Sequence, residues 1–138
     1  MRNPTSDAKP GDRLAPFTFG PIDRKMLALY AGASGDHNPA HIDIDFAKEA
    51  GLEDVFAHGM LSFGVLSQVV TRWCGAGRLR RFGVRFASIT KVHDVITCSG
   101  EIIERFESAG KTLLKISVVA TAQDGRQTLS GDALVAID

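Results

Sequence analysis

Gly59-Met60-Leu61-Ser62-Phe63-Gly64-Val65-Leu66-Ser67-Gln68-Val69-Val70-Thr71-Arg72-Trp73-Cys74 is the stretch on which the fold turns. Wound as a helix, it sets Met60, Leu61, Phe63, Val65, Leu66, Val69, Val70 and Trp73 on nearly every side. A helix apolar all round in a water-soluble chain is one that other elements wrap. Residues 60–70 are too few to span a bilayer, and Ser62, Gly64, Ser67 and Gln68 interrupt them. The reading is therefore a buried central helix, and the rest of the chain has to supply its wrapping.

Downstream the period changes from helix to strand. Phe82, Val84 and Phe86 alternate with Gly83, Arg85 and Ala87, and residues 95–106, 112–121 and 127–137 continue in that style. Asp124-Gly125 is a hairpin turn signal between the last two. Upstream, residues 14–19 alternate as a first strand, and Asp23 stands where a helix N-cap belongs. Met26, Leu27, Tyr30 and Ala33 then share one helical face, and Gly32 and Gly35 end it. Asp45 is expected to cap a short helix over 46–50 that Gly51 closes in the left-handed conformation, with 52–57 as connection. Strand, helices, then four strands make an α+β layout, an antiparallel sheet curled round one helix. No repeat or linker divides the chain, so residues 1–138 read as one domain, with the polar, proline-bearing first ten loosely held.

Composition narrows the function classes. The chain has 138 residues, 44% hydrophobic and 23% charged, enough for one real core. A formal net charge of +0 gives no global attraction for nucleic acid or an anionic membrane. Cys74 and Cys98 lack CxxC spacing and read as reduced, buried thiols. The opening residues have no apolar core of a signal peptide, so a cytoplasmic location is expected.

Chemistry concentrates in Ser34-Gly35-Asp36-His37-Asn38-Pro39-Ala40-His41. A carboxylate and an imidazole stand five positions apart, across a turn that Asn38 and Pro39 make rigid. Held over one small volume, such a pair passes protons to and from a water or hydroxyl. Imidazole titrates nearest to neutral, whereas Asp36 donates a proton only if its surroundings raise its pKa. The same letters are also ordinary turn chemistry. A zinc site built from Asp36, His37, His41 and Asp43 is disfavoured because Pro39 breaks the helical spacing of the two histidines and no cysteine is near. A further imidazole, His58, precedes Gly59 at the start of the central helix, where unpaired N–H groups and the positive dipole end gather.

These two pieces resemble the signature of the MaoC-like hydratases and dehydratases, the (R)-specific enoyl-CoA hydratase group. That pattern is Gly-Asp-x-Asn-Pro-x-His followed by a His-Gly element, and Gly35, Asp36, Asn38, Pro39 and His41 meet every fixed position of its first part. The runs Tyr30-Ala31-Gly32-Ala33-Ser34-Gly35-Asp36 and Phe82-Gly83-Val84-Arg85-Phe86 look similar to the bacterial (R)-3-hydroxyacyl carrier-protein dehydratases. The resemblance implies a hot-dog fold and reversible hydration of a trans-2-enoyl thioester to the (R)-3-hydroxyacyl thioester. It implies Asp36 and His41 as the acid–base pair, with the split between acid and base open. Gly59 becomes the oxyanion-hole residue and Asn38 the brace of the turn. His58 either lines the pocket or anchors the turn, and Ser67 either contacts the pair or makes room in the packing.

The carrier would be coenzyme A or acyl carrier protein, with no other cofactor and no metal. Both carriers are anionic, which suits Arg72, Arg78, Arg80, Arg81 and Arg85, although a short charge run is also an ordinary solvated surface. A homodimer, or a heterodimer with another hot-dog subunit, is implied by the same likeness. The rivals are a hot-dog thioesterase, which would release free thiol, and a non-catalytic acyl-binding subunit. The second has no need of both Asp36 and His41.

Overall fold

The computed structural model describes residues 7–138. The chain begins its regular structure with a short strand, β1 (Phe17–Phe19), followed by α1 (Arg24–Ser34), α2 (Ile44–Glu49) and α3 (Gly59–Cys74). Four strands complete it: β2 (Leu79–Phe86), β3 (Ile96–Ser108), β4 (Lys111–Ala122) and β5 (Gln127–Ala136). They form one sheet in the order β1-β3-β4-β5-β2, with every neighbouring pair antiparallel.

Burial alternates along the sheet as a half-buried strand requires. On β4, Leu114, Ile116, Val118, Ala120 and Ala122 point inward, joined by Ile96, Cys98 and Ile102 of β3 and Leu129, Ala133 and Val135 of β5. Against them α3 lays Val65, Leu66, Val69, Val70 and Cys74. Each large side chain buried this way contributes about 1.5–3 kcal/mol, so this layer is the main source of stability. The result is the α+β, hot-dog arrangement, a curled antiparallel sheet on a long helix. Both cysteines are buried and unpaired, and burial pushes the Cys98 thiol up to about 11.

Several local expectations shift. The sheet covers one side of α3 rather than all of it: Met60 is 56% exposed, and Leu61, Phe63 and Trp73 are only partly buried. The first strand is shorter than residues 14–19 because Pro16 has no N–H to give. The chain still runs beside β3 there, with the Leu14 N–H on the Gly100 carbonyl at 2.9 Å. Asp43, not Asp45, caps α2: its carboxylate accepts from the N–H groups of Asp45 and Phe46, while Asp45 falls in the first turn. Gly32 lies inside α1, which ends at Gly35 with φ 78°. The looseness expected of residues 1–10 lies outside the described residues for its first six positions. Beyond them Ala8 is buried, and its carbonyl accepts from Arg105 Nη1 at 2.8 Å.

A polar cluster pins the start of β3 to the β4–β5 turn. Asp94, 4% exposed, accepts from the Lys91 N–H at 2.8 Å and Gln123 Nε2 at 3.2 Å, and it pairs with Arg126. Arg126 also reaches Asp124 at 2.7 Å. Removing one partner leaves the other charge uncompensated, so Asp94→Ala is expected to cost about 3–5 kcal/mol in urea unfolding. A loss below about 1 kcal/mol would mean that water screens the cluster.

Candidate active site

Asp23 caps α1 through the Met26 N–H at 2.7 Å, and the helix delivers the chain at Gly35 into the Asp36 loop. That loop is a nested set of side-chain-to-backbone bonds. Asp36 Oδ1 accepts from the Asn38 N–H at 3.2 Å, and Asn38 Oδ1 accepts from the Ala40 N–H at 3.0 Å. Asn38 thereby caps a single 3-10 turn, Pro39–His41, opened by the proline.

His41 is 7% exposed, and its Nδ1 lies 2.7 Å from the Phe56 carbonyl. A carbonyl only accepts, so Nδ1 carries the hydrogen and the neutral ring keeps its lone pair on Nε2. The Phe56 ring meets His41 edge-on at 4.6 Å. The segment bearing Phe56 is tied to α1 by the Arg24–Asp54 ion pair, and that guanidinium holds the Asp54 carboxyl below its usual range. Nothing in the sequence around Phe56 marks it, because its contribution is a main-chain oxygen.

His58 is almost fully enclosed, and its ring stacks on His41 with centroids 4.0 Å apart and planes 29° apart. Its Nε2 lies 3.2 Å from the Asp36 carbonyl oxygen. Burial and the neighbouring His41 hold His58 below the ordinary 6.5, against the opposing pull of the Asp36 carbonyl and carboxylate. Asp36, His41 and His58 thus bring one potential ligand atom each within 4.8 Å of one another. A metal lies in the plane of each imidazole that holds it. Two rings stacked 4.0 Å apart with planes at 29° do not share a plane in which one ion could lie, so their geometry does not suit a common metal.

Gly59 opens α3, and the side chain of the preceding His58 makes no cap bond. A β-carbon at position 59 would stand 2.8 Å from Phe86 Cε1, so the Phe86 ring lies close over the helix start. Beside it is a cavity of about 310 Å³ whose walls include Gly59, Ser62, Phe86, Ile89 and Thr90. Phe56 and Ile89 also line an adjoining hollow of about 400 Å³ that reaches Lys91 and His93.

Ser67 sits two turns further along α3, and its hydroxyl donates to the Gly64 carbonyl at 2.7 Å. Among the described residues it has no hydrogen bond to Asp36 or His41. The five arginines are spread over the end of α3, the turn after it and β2. Arg72 lies over the Phe17 ring at 4.3 Å, on the β1 side, and donates to Gln68. Arg81 and Arg85 are exposed on β2, at the opposite edge of the sheet. Arg80 is turned onto the Gly77 carbonyl at 2.7 Å, and Arg78 is half-buried in the turn before β2. None of them lines the groove beside Gly59.

No helix among the described residues is long and apolar enough to cross a membrane. Comparison with known proteins agrees with the geometry. An (R)-specific enoyl-CoA hydratase of Rhodospirillum rubrum is 35% identical over 80 residues, 56% of this chain and 56% of that protein. The chain also spans only 5% of the fatty acid synthase beta subunit TOXC of Cochliobolus carbonum, which it matches at 30% identity over 110 residues. The unliganded R-hydratase PhaJ1 of Pseudomonas aeruginosa superposes with TM-score 0.82 at 27% identity, covering 96% of this chain and 84% of that one. Residues 7–124 match the sequence profile described as MaoC like domain. A match over that much of the length leaves one assignment: the chain belongs to the MaoC-like family.

Proposed function

We propose that this chain hydrates trans-2-enoyl thioesters to (R)-3-hydroxyacyl thioesters and catalyses the reverse dehydration. The observation that carries the reading is the tautomer of His41. Its Nδ1–H is engaged by Phe56, which leaves the lone pair on Nε2, and a His41 ring nitrogen and an Asp36 carboxylate oxygen lie within 4.8 Å of each other. In dehydration Nε2 takes the α-proton, and the electrons pass to the thioester oxygen as an enolate. Protonated Asp36 then gives its proton to the C3 hydroxyl, which departs as water while the double bond forms. In hydration the Asp36 carboxylate takes a proton from water as the oxygen bonds to C3, and the His41 imidazolium returns its Nε2 proton to C2. The pair carries one proton in either direction, so no cofactor beyond the carrier enters the balance.

The Gly59 N–H is the donor for the developing enolate, at the positive end of α3. The groove from Gly59 past Phe56 and Ile89 suits the pantetheine arm of coenzyme A or acyl carrier protein. Gly59→Ala crowds that site against Phe86, a ring exposed enough to swing aside. The expected result is a fall in kcat of about 10–10² with little change in Tm. Unchanged kcat would remove Gly59 from the mechanism. The unpaired edge of β2 and the bare face of α3 suit a second hot-dog subunit, homo- or heteromeric, which sedimentation equilibrium reads directly.

The deciding assay follows loss of the conjugated enoyl-thioester absorbance with crotonyl-CoA. Product chirality and free thiol are measured on the same sample. The (R)-alcohol without thiol is expected, whereas release of thiol would make the chain a thioesterase.

A further inference from the structure

The proposed reaction needs Asp36, His41 and Gly59, yet the ring most deeply enclosed beside them is His58, at 1% exposure. It stands at the N-cap of α3 without capping it. Three groups meet the ring instead. His41, on the 3-10 turn, stacks on it, and Tyr30 of α1 meets it edge-on at 4.7 Å. The third is the Asp36 carbonyl at Nε2. Because that oxygen only accepts, Nε2 holds the hydrogen and Nδ1 is bare in the neutral ring. Nδ1 is buried and has no partner among the described residues. A second proton there would lose hydration, find no acceptor and repel the charge that His41 carries in turnover. The titratable groups that face His58 are Tyr30, Asp36 and His41, and the first turn of α3 adds no acidic residue.

We propose that His58 is a positioning residue for the Asp36–His41 pair. It stays neutral as the Nε2–H tautomer, its donor holds the Asp36 main chain, and its ring face sets the plane of His41. When His41 takes a proton, the cation rests on a neutral π-face, which attracts it. Of the two stacked imidazoles, only His41 changes charge during the reaction. The kinetic consequence rests on the hydratase reading. The ring geometry and titration do not.

Nitrogen-detected NMR of the histidine rings tests both parts across pH 5–8, in the wild type beside His58→Phe and His58→Gln. Phenylalanine keeps a ring face and loses the donor, while glutamine keeps a donor and loses the face. In the wild type, His58 is expected to remain a neutral Nε2–H ring across that range, and neutral His41 to carry its hydrogen on Nδ1. His58→Gln should disturb the Nδ1–H tautomer of His41 by removing the ring face that sets its plane. Both variants should lose about 10–10² in kcat with KM within a fewfold of wild type, since misplacement rather than binding is affected.

Stability carries the same signature. The folded pKa of His58 lies below its ordinary 6.5, so the unfolded chain takes up that proton first as pH falls. Its contribution is fully present above 6.5 and is lost as pH drops through the folded value. Wild-type Tm should therefore fall more steeply than that of His58→Gln below that point. A wild-type His58 that titrates near its ordinary value overturns the proposal, as do His41 ring-nitrogen signals that are unchanged in His58→Gln. The expected ring behaviour in a wild type without hydratase activity would refute the hydratase reading and uphold the ring assignment.

Discussion

Asp36→Asn is expected to reduce kcat for crotonyl-CoA hydration by about 10²–10⁴ while the protein stays folded. That range corresponds to about 2.7–5.5 kcal/mol of barrier. The substitution isolates the proton chemistry, because an asparagine oxygen can still accept from the Asn38 N–H as Asp36 Oδ1 does. What it cannot do is give up and regain a proton at oxygen. Position 36 is exposed, so no buried volume changes either. His41→Ala should cause a loss of the same size, with some stability lost as well, since that ring is buried and bonded to Phe56. In the proposed mechanism one group takes a proton as the other gives one, so the double variant is expected to fall little below the weaker single one. KM should stay near wild type in Asp36→Asn. Near-normal turnover in both folded single variants would take the pair out of the mechanism.

Gly131→Ala is expected to cost more than about 4 kcal/mol, a large part of the roughly 5–15 kcal/mol that an ordinary domain possesses. A β-carbon there would lie 2.0 Å from the Gly83 carbonyl oxygen and 2.7 Å from Val84 Cα. Both atoms belong to the backbone of β2, which cannot rotate aside as a side chain can. The β2–β5 ladder, which pairs Val84 with Gly131, would have to open. Phe86 and its cover over Gly59 would move with it, so the readout must be unfolding by urea or heat rather than activity. Gly64→Ala is the internal control. It lies in α3 with nothing within 4 Å of the added carbon and should gain about 0.5–1 kcal/mol. A Gly131→Ala protein that melts within a few degrees of wild type would show that the strands tolerate separation there.

Legibility followed how local the signal is. The bounds of α3, the Asp23 cap and the inward alternation of β3, β4 and β5 are all set by neighbours in sequence, and all could be read there. The choice between Asp43 and Asp45 could not. It depends on where the preceding 3-10 turn releases the chain, and the Asp43 N–H still bonds the Pro39 carbonyl at 2.8 Å. The β3–β4 turn was silent as well, because Ala109 takes a positive φ of 51° beside Gly110 without the usual asparagine or aspartate.

At the site, Asp36, Asn38 and His41 form one local loop and were visible together. The stacking of His58 on His41 joins residues 17 apart and was visible only as two separate histidines. The arginines are close in sequence, but Arg72 lies on α3 over β1, whereas Arg81 and Arg85 lie on β2 at the opposite edge of the sheet.

The tautomer of His41 is set by a main-chain oxygen. Many catalytic imidazoles are oriented by a carboxylate, a side chain that one codon change can erase. Here the Phe56 side chain can drift among relatives while the bond that bares Nε2 persists, as long as the backbone keeps its path. The proposed base is therefore shielded from point mutation at its orienting partner. Insertions or deletions between residues 52 and 57 are the changes that would silence it.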